Sequence, residues 1–320
     1  MAPIFSDHYL SSWHEIWHTC FAPSRVALRP QDVLQIFWQH YAPSLQRDYP
    51  GISSRRLIQE WQSQQWKLAD AWYFFDPAHP LSKFLVALRQ GVPWGYHFGR
   101  SYFYETEFWV GPATLIPRPE TELLVDFVRK EWQQKVAQEH LTSAQWLDVG
   151  TGCGNILLSL LPYAQIPVQA YGSDISPVAL QLAQQNAFGQ AYRWPQRQVV
   201  TWAQSDRFQN PIFVGQKFDL ITANPPYLKQ DADRDLVHGQ VKKFEPWPAL
   251  FLADQDYEAW FAEFFLQVAG HLAPGGIFAM EGHPAYLQEL AEVATTKGLT
   301  QVKVLNDLTG RSRFLMARGK

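Results

Sequence analysis

Residues 146–154 read Trp146-Leu147-Asp148-Val149-Gly150-Thr151-Gly152-Cys153-Gly154. A short apolar strand runs here into a glycine cluster, and the apolar helix Ile156-Leu157-Leu158-Ser159-Leu160 follows directly. Glycines at such a junction let the backbone turn sharply and approach a ligand without Cβ clashes. The helix start beyond them points free N–H groups at the same place. The same strand–loop–helix texture recurs downstream. Val168-Gln169-Ala170-Tyr171-Gly172-Ser173-Asp174 reads as a second strand, with a helix from Pro177. Phe218-Asp219-Leu220-Ile221-Thr222-Ala223 and Gly275-Gly276-Ile277-Phe278-Ala279-Met280 read as later strands, the last after a helix near 260–264. This alternation predicts an α/β fold, a parallel sheet with helices on both faces.

Upstream, 120–128 has helical spacing. The aromatic, β-branched stretch 101–110 has a polar break in its middle and predicts a β-hairpin. The first ninety residues show apolar positions three and four apart, punctuated by Pro43, Pro50, Pro77 and Pro80, and predict short helices. At 320 residues the chain has room for about two domains. A formal charge of −3 argues against a broad polybasic face for nucleic acid. Two cysteines, Cys20 and Cys153, imply no disulfide framework. No apolar run approaches the roughly 18 residues of a membrane helix, and the first residues lack the pattern of a signal peptide. A cytoplasmic protein is therefore expected. Aromatic residues make up 15% of the chain, and seven of its 14 tryptophans fall in the first hundred residues, outside the motif-bearing part.

Chemistry concentrates at three places. The glycine loop Gly150-Thr151-Gly152-Cys153-Gly154 is the first, and its spacing differs from the dinucleotide fingerprint. Asp174 is the second: it ends the next strand, where a carboxylate can accept ribose hydroxyls. The third is Asn224-Pro225-Pro226-Tyr227, at the carboxyl end of the strand 218–223. Its prolines remove two backbone donors and hold the chain extended, leaving carbonyls as acceptors. The amide oxygen of Asn224 and the carbonyl of Pro225 can each take one hydrogen of a substrate NH2 group. Tyr227 offers a flat face for a planar amide or base. A turn explains Asn-Pro, but not the second proline or the aromatic.

These residues resemble the Asn-Pro-Pro-Tyr amino-methyltransferases that use S-adenosylmethionine. Leu115-Ile116-Pro117-Arg118-Pro119-Glu120-Thr121-Glu122 narrows the match to the peptide chain release factor glutamine methyltransferases, the HemK/PrmC family. Gly91-Val92-Pro93, Phe244-Glu245-Pro246, Ala249-Leu250 and Gly310-Arg311-Ser312-Arg313-Phe314 occur in matching order. The chain departs from the pattern at 251–256, where relatives carry glycines, at Glu281-Gly282, which lacks a spacer, and at Arg207, where some relatives carry an aromatic.

The resemblance implies a Rossmann-like, seven-stranded methyltransferase sheet over 116–320, a hairpin linker at 91–115 and a small helical substrate-docking domain at 1–90. It implies S-adenosylmethionine bound by Gly150, Thr151, Gly152, Cys153, Gly154, Asp174, Asp206, Arg207 and Asn224. It further implies methyl transfer to the glutamine amide of the Gly-Gly-Gln motif in class I release factors. No direct nucleic-acid or membrane partner is expected, and the sequence leaves the oligomeric state open, with a monomer expected. Asn224, Pro225 and Tyr227 would be catalytic, with Pro226 beside them at the substrate. Three alternatives stay open: a ribosomal-protein glutamine methyltransferase, an adenine methyltransferase acting on DNA or RNA, and a binding protein that retains the fold without catalysis. His14-Glu15-Ile16-Trp17-His18 formally matches a zinc-protease motif, but no suitable third ligand follows, so no metal is expected.

Overall fold

The computed structural model describes residues 92–195 and 198–320. The motif at 14–18, Cys20 and the helices expected over the first ninety residues lie outside the described residues. The span Trp94–Lys320 forms one compact unit.

A short helix α1 (Trp94–Phe98) leads into a hairpin of β1 (Arg100–Phe103) and β2 (Thr106–Trp109). The polar break is its turn. Tyr104 and Glu105 both take positive φ, 43° and 69°, as the two central residues of a tight hairpin turn must. Neither residue is Asn or Gly, and side chains of the next helix, α2 (Pro119–Glu139), hold the strained pair. Glu122 accepts from the Tyr104 N–H at 3.0 Å, and the Tyr104 hydroxyl donates to Asp126 at 2.7 Å. Phe103 and Phe108 point inward and are fully buried in the core.

The sheet follows as β3 (Ala144–Val149), β4 (Val168–Asp174), β5 (Val199–Gln204), β6 (Phe218–Ala223), β9 (Leu272–Glu281), β10 (Thr300–Asn306) and β11 (Ser312–Arg318). Between β6 and β9, two short strands, β7 (Leu228–Lys229) and β8 (Phe251–Leu252), pair separately in parallel. The seven strands lie in the order β10-β11-β9-β6-β3-β4-β5. All neighbours are parallel except β11, which runs antiparallel to both β9 and β10. The main helices are α3 (Asn155–Leu160), α4 (Pro177–Gln190), α5 (Gly239–Phe244), α6 (Tyr257–His271) and α7 (Leu287–Thr296).

Two apolar clusters flank the sheet. One joins the hairpin, α2 and α3 through Phe103, Phe108, Trp132, Trp146 and Leu157. The other packs Phe261, Phe264 and Phe265 of α6 against Phe218 and Phe278. Central strands buried on both faces explain the near-continuous apolar runs of β3 and β6. The strand order reverses beside β3, so the carboxyl ends of β3, β4 and β6 open onto one crevice.

Candidate active site

Each strand end places one piece of chemistry in that crevice. At the end of β3 the chain takes positive φ at Gly150, Gly152 and Gly154, 69°, 56° and 83°. A Cβ at Gly150 or Gly152 would meet no protein atom within 4 Å, so the loop is glycine-rich for its backbone path and its open face. The loop is anchored from beneath by Asp148, which is 1% exposed. Its two oxygens accept from Thr151 Oγ1 at 2.6 Å and from Thr222 Oγ1 of β6 at 2.7 Å. Burial pushes the Asp148 carboxyl up to about 6, against the pull of those two hydroxyls.

Asp174 closes the other side of the loop. One oxygen accepts from Gly152 N and the other from Ser176 N, both at 2.9 Å. Each carboxylate oxygen keeps a second lone pair for a ligand. Burial raises its pKa, and the backbone N–H groups oppose that shift. Cys153 is buried, and desolvation pushes its thiol up to about 12, which favours the neutral thiol over the nucleophilic thiolate. Its backbone carbonyl accepts from Asn186 at 2.9 Å.

The glycine loop, Asp174, Asp206, Arg207 and the wall Asn224-Pro225-Pro226 line one cavity of about 460 Å³. The structure thus brings most of the expected site residues together, with two differences. Gly154 is not part of the lining, since its α-carbon faces Leu158 and Ala183. Tyr227 is not part of it either. Its hydroxyl donates to Glu281 at 3.0 Å and its backbone carbonyl accepts from Tyr257 at 3.1 Å. Burial and the neighbouring Glu281 carboxylate raise its pKa, so it stays a neutral donor. Arg207, in the left-handed region at φ 50°, pairs with Asp206 at 3.0 Å and with Glu263 of α6 at 3.3 Å. Its guanidinium lies 5.4 Å from the ring centroid of Trp260, which lines the same cavity. An aromatic face therefore reaches this end of the cavity from α6.

A family profile described as a methyltransferase domain matches residues 141–308. The chain is 37% identical to the release factor glutamine methyltransferase of Koribacter versatilis, over 71% of this chain and 75% of that one. It is 33% identical to the enzyme of that name from Salmonella typhimurium, over 74% and 79%, and 31% identical to that of Bacteroides thetaiotaomicron, over 74% and 80%. This chain belongs to the release factor glutamine methyltransferases. It is an S-adenosylmethionine-dependent methyltransferase, and its crevice suits that cofactor. The open glycine loop provides backbone room, Asp174 is aimed and already fixed by two N–H groups, and a cavity of this volume matches a nucleoside-sized ligand.

Membership of the family also makes sense of motifs whose roles the sequence alone leaves blank. Arg118, from the run 115–122, forms an ion pair at 2.6 Å with Glu245 of Phe244-Glu245-Pro246. The other Glu245 oxygen accepts from Ile116 N at 3.1 Å. Two signatures 127 residues apart thus form one clasp at the cavity mouth. Thr121 and Glu281 meet at 2.6 Å behind Asn224. Glu281 is 1% exposed, and burial raises its pKa against the opposing pull of Thr121, Tyr227 and Arg313. None of Arg118, Thr121, Glu245, Glu281 and Trp260 is picked out as a site residue by sequence reasoning. Four of them lie in or beside segments that carry the resemblance, whereas Trp260 has no signal beyond apolar helical spacing. The segment 251–256 supplies β8, and its Asp254 accepts from the backbone of Asp231 and Ala232 at 2.9 and 3.1 Å. Carboxylate-to-backbone bonds there fix the loop 231–232.

Proposed function

We propose that this enzyme methylates the side-chain amide nitrogen of the glutamine in the Gly-Gly-Gln motif of class I release factors. The observation that carries the reading is that Asn224, Pro225 and Pro226 form one wall of the cavity that the glycine loop and Asp174 also line. S-adenosylmethionine supplies an electrophilic methyl group on a sulfonium. Gly150, Thr151, Gly152, Cys153, Asp174, Asp206, Arg207 and Asn224 would hold it, with Gly154 setting the path of the loop from inside. An amide nitrogen is a poor nucleophile, because its lone pair is delocalised into the carbonyl. Among the described residues no strong base faces Asn224 across the cavity, so the contribution of the chain is alignment. The Asn224 side-chain oxygen and the Pro225 carbonyl grip the two hydrogens of the substrate NH2. The same acceptors stabilise positive charge as it grows on nitrogen, and the released proton passes to water. Tyr227 acts from behind the wall, through Glu281. Residues 1–90 assist by docking the release factor.

The test is transfer of label from S-adenosylmethionine to release factors, ribosomal proteins and DNA offered together, followed by locating the label. Label on the Gly-Gly-Gln glutamine is the expected outcome, and label on a ribosomal protein or on adenine overturns the substrate assignment. Asn224→Ala should lower turnover at least about 100-fold, the scale of losing one aimed hydrogen-bonding group, while retaining most of the cofactor affinity. Near-normal turnover in that variant refutes the grip.

A further inference from the structure

An asparagine side chain can lie either way round. One orientation offers its oxygen to the cavity and the other offers its NH2. The substrate NH2 is a donor, so only the first orientation can hold it. What chooses between them is behind Asn224, at the last residue of β9. Glu281 is surrounded by donors: Thr121 Oγ1 at 2.6 Å and Asn224 Nδ2 at 3.4 Å from one oxygen, the Tyr227 hydroxyl at 3.0 Å and Arg313 at 3.8 Å from the other. An ionised carboxylate accepts and cannot donate. It attracts the NH2 of Asn224 and repels the carbonyl oxygen. Thr121 reinforces this choice: its proton is directed at Glu281, so its oxygen, 3.5 Å from Asn224 Nδ2, is left to accept.

We propose that Glu281 is a positioning residue for methyl transfer, which with Thr121 holds the Asn224 amide with its oxygen toward the substrate. This inference rests on the grip assigned to Asn224 above. It explains why a carboxylate is buried at the end of β9, facing a wall it does not itself line. It also explains how Tyr227 can matter without touching the cavity: its hydroxyl fixes the second oxygen of Glu281.

Glutamine has the shape of glutamate but adds two donors. In Glu281→Gln, the new NH2 can bond the Asn224 oxygen, so the Asn224 amide turns and presents a donor to a donor. The kcat for a release factor should fall at least about 100-fold, with the dissociation constant of S-adenosylmethionine within about threefold of the parent. Asparagine and aspartate differ in the complementary way, since aspartate has an oxygen on both sides. Adding Asn224→Asp to Glu281→Gln should therefore restore kcat at least about tenfold over Glu281→Gln alone, although each single change is harmful. A merely structural role for Glu281 gives no such rescue, because two damaging changes would then add. A Glu281→Gln kcat within threefold of the parent, or a double variant no faster than Glu281→Gln, overturns the proposal. If Asn224→Ala itself keeps normal turnover, the grip fails first, and that result is distinct from an inactive Asn224→Ala beside an active Glu281→Gln. Should Glu281→Gln not fold, the side-chain amide protons of Asn224 in the parent decide by nuclear magnetic resonance. Protection from exchange with water supports the proposal, and exchange at the rate of an exposed amide overturns it.

Discussion

Asp148 joins the glycine loop to the central sheet, and its environment makes a measurable claim about pH. Folded, its carboxyl keeps the proton up to about pH 6, whereas the ordinary value is 3.8. Between those values the folded state binds more protons than the unfolded chain, so this residue's contribution to stability falls as pH rises from 4 to 6. A shift of this size corresponds to about 2 kcal/mol lost between pH 4 and pH 7. Asp307, held down to about 2 by Thr309 and its neighbours, titrates below that window in the fold. Asp174 and Glu281 are raised and contribute to the same slope. The comparison that isolates Asp148 is therefore a difference: urea unfolding of the parent and of Asp148→Asn at pH 4 and pH 7. The parent should lose more stability over that interval than the variant, and equal losses would show that folding does not raise the Asp148 pKa. The functional claims have the same character at this scale. Asn224 and Glu281 matter for which atoms accept and which donate, and side-chain volume is secondary.

At the scale of elements, the pairing of β4 with β5 sets Gly172 opposite Trp202. A Cβ at Gly172 would stand 2.3 and 2.5 Å from two carbons of that indole ring. Glycine is needed here because the Trp202 ring lies across the strand, packed against the cluster beneath the hairpin. Gly172→Ala should destabilise the protein by about 1–3 kcal/mol, the cost of overpacking a filled site. Thermal unfolding reads this directly, and an unchanged midpoint would mean that the ring can swing aside. Elements of this kind were unevenly legible. Residues 168–174 and 218–223 form strands with the bounds the sequence predicts, because buried central strands carry mostly apolar or small residues. The edge strands β5 and β10 are half-exposed, and Gln, Lys and Thr interrupt their apolar positions, so neither stands out as a strand. The site divides likewise. Local motifs such as 150–154 and 224–227 are readable because one short segment carries each complete function. The clasp of Arg118 with Glu245 and the bond of Asn224 to Glu281 span 127 and 57 residues. Only the fold brings such partners together, and no local pattern announces them.

At the scale of the whole molecule, Trp94–Lys320 holds both apolar clusters, all seven strands of the main sheet and the entire lining of the cavity. A chain segment that contains its own core has what independent folding requires. The residues before it contain six of the 14 tryptophans of the protein and none of the residues that line the cavity. The docking role proposed above for the first ninety residues assigns the chemistry to this body alone. Methylating one glutamine in a folded protein requires affinity beyond what a narrow cavity can take from a few atoms, because ordering a flexible motif costs free energy that remote contacts must offset. Removing residues 1–90 should therefore leave the dissociation constant of S-adenosylmethionine within about threefold of the full chain. The KM for intact release factor should rise at least about tenfold, while kcat at saturation changes little, since uniform binding is lost and alignment at Asn224 is retained. Calorimetry and steady-state kinetics on the two lengths measure both quantities. A KM equal to that of the full chain would place the docking surface on the body itself. Loss of cofactor binding would show instead that the body depends on the first ninety residues to fold.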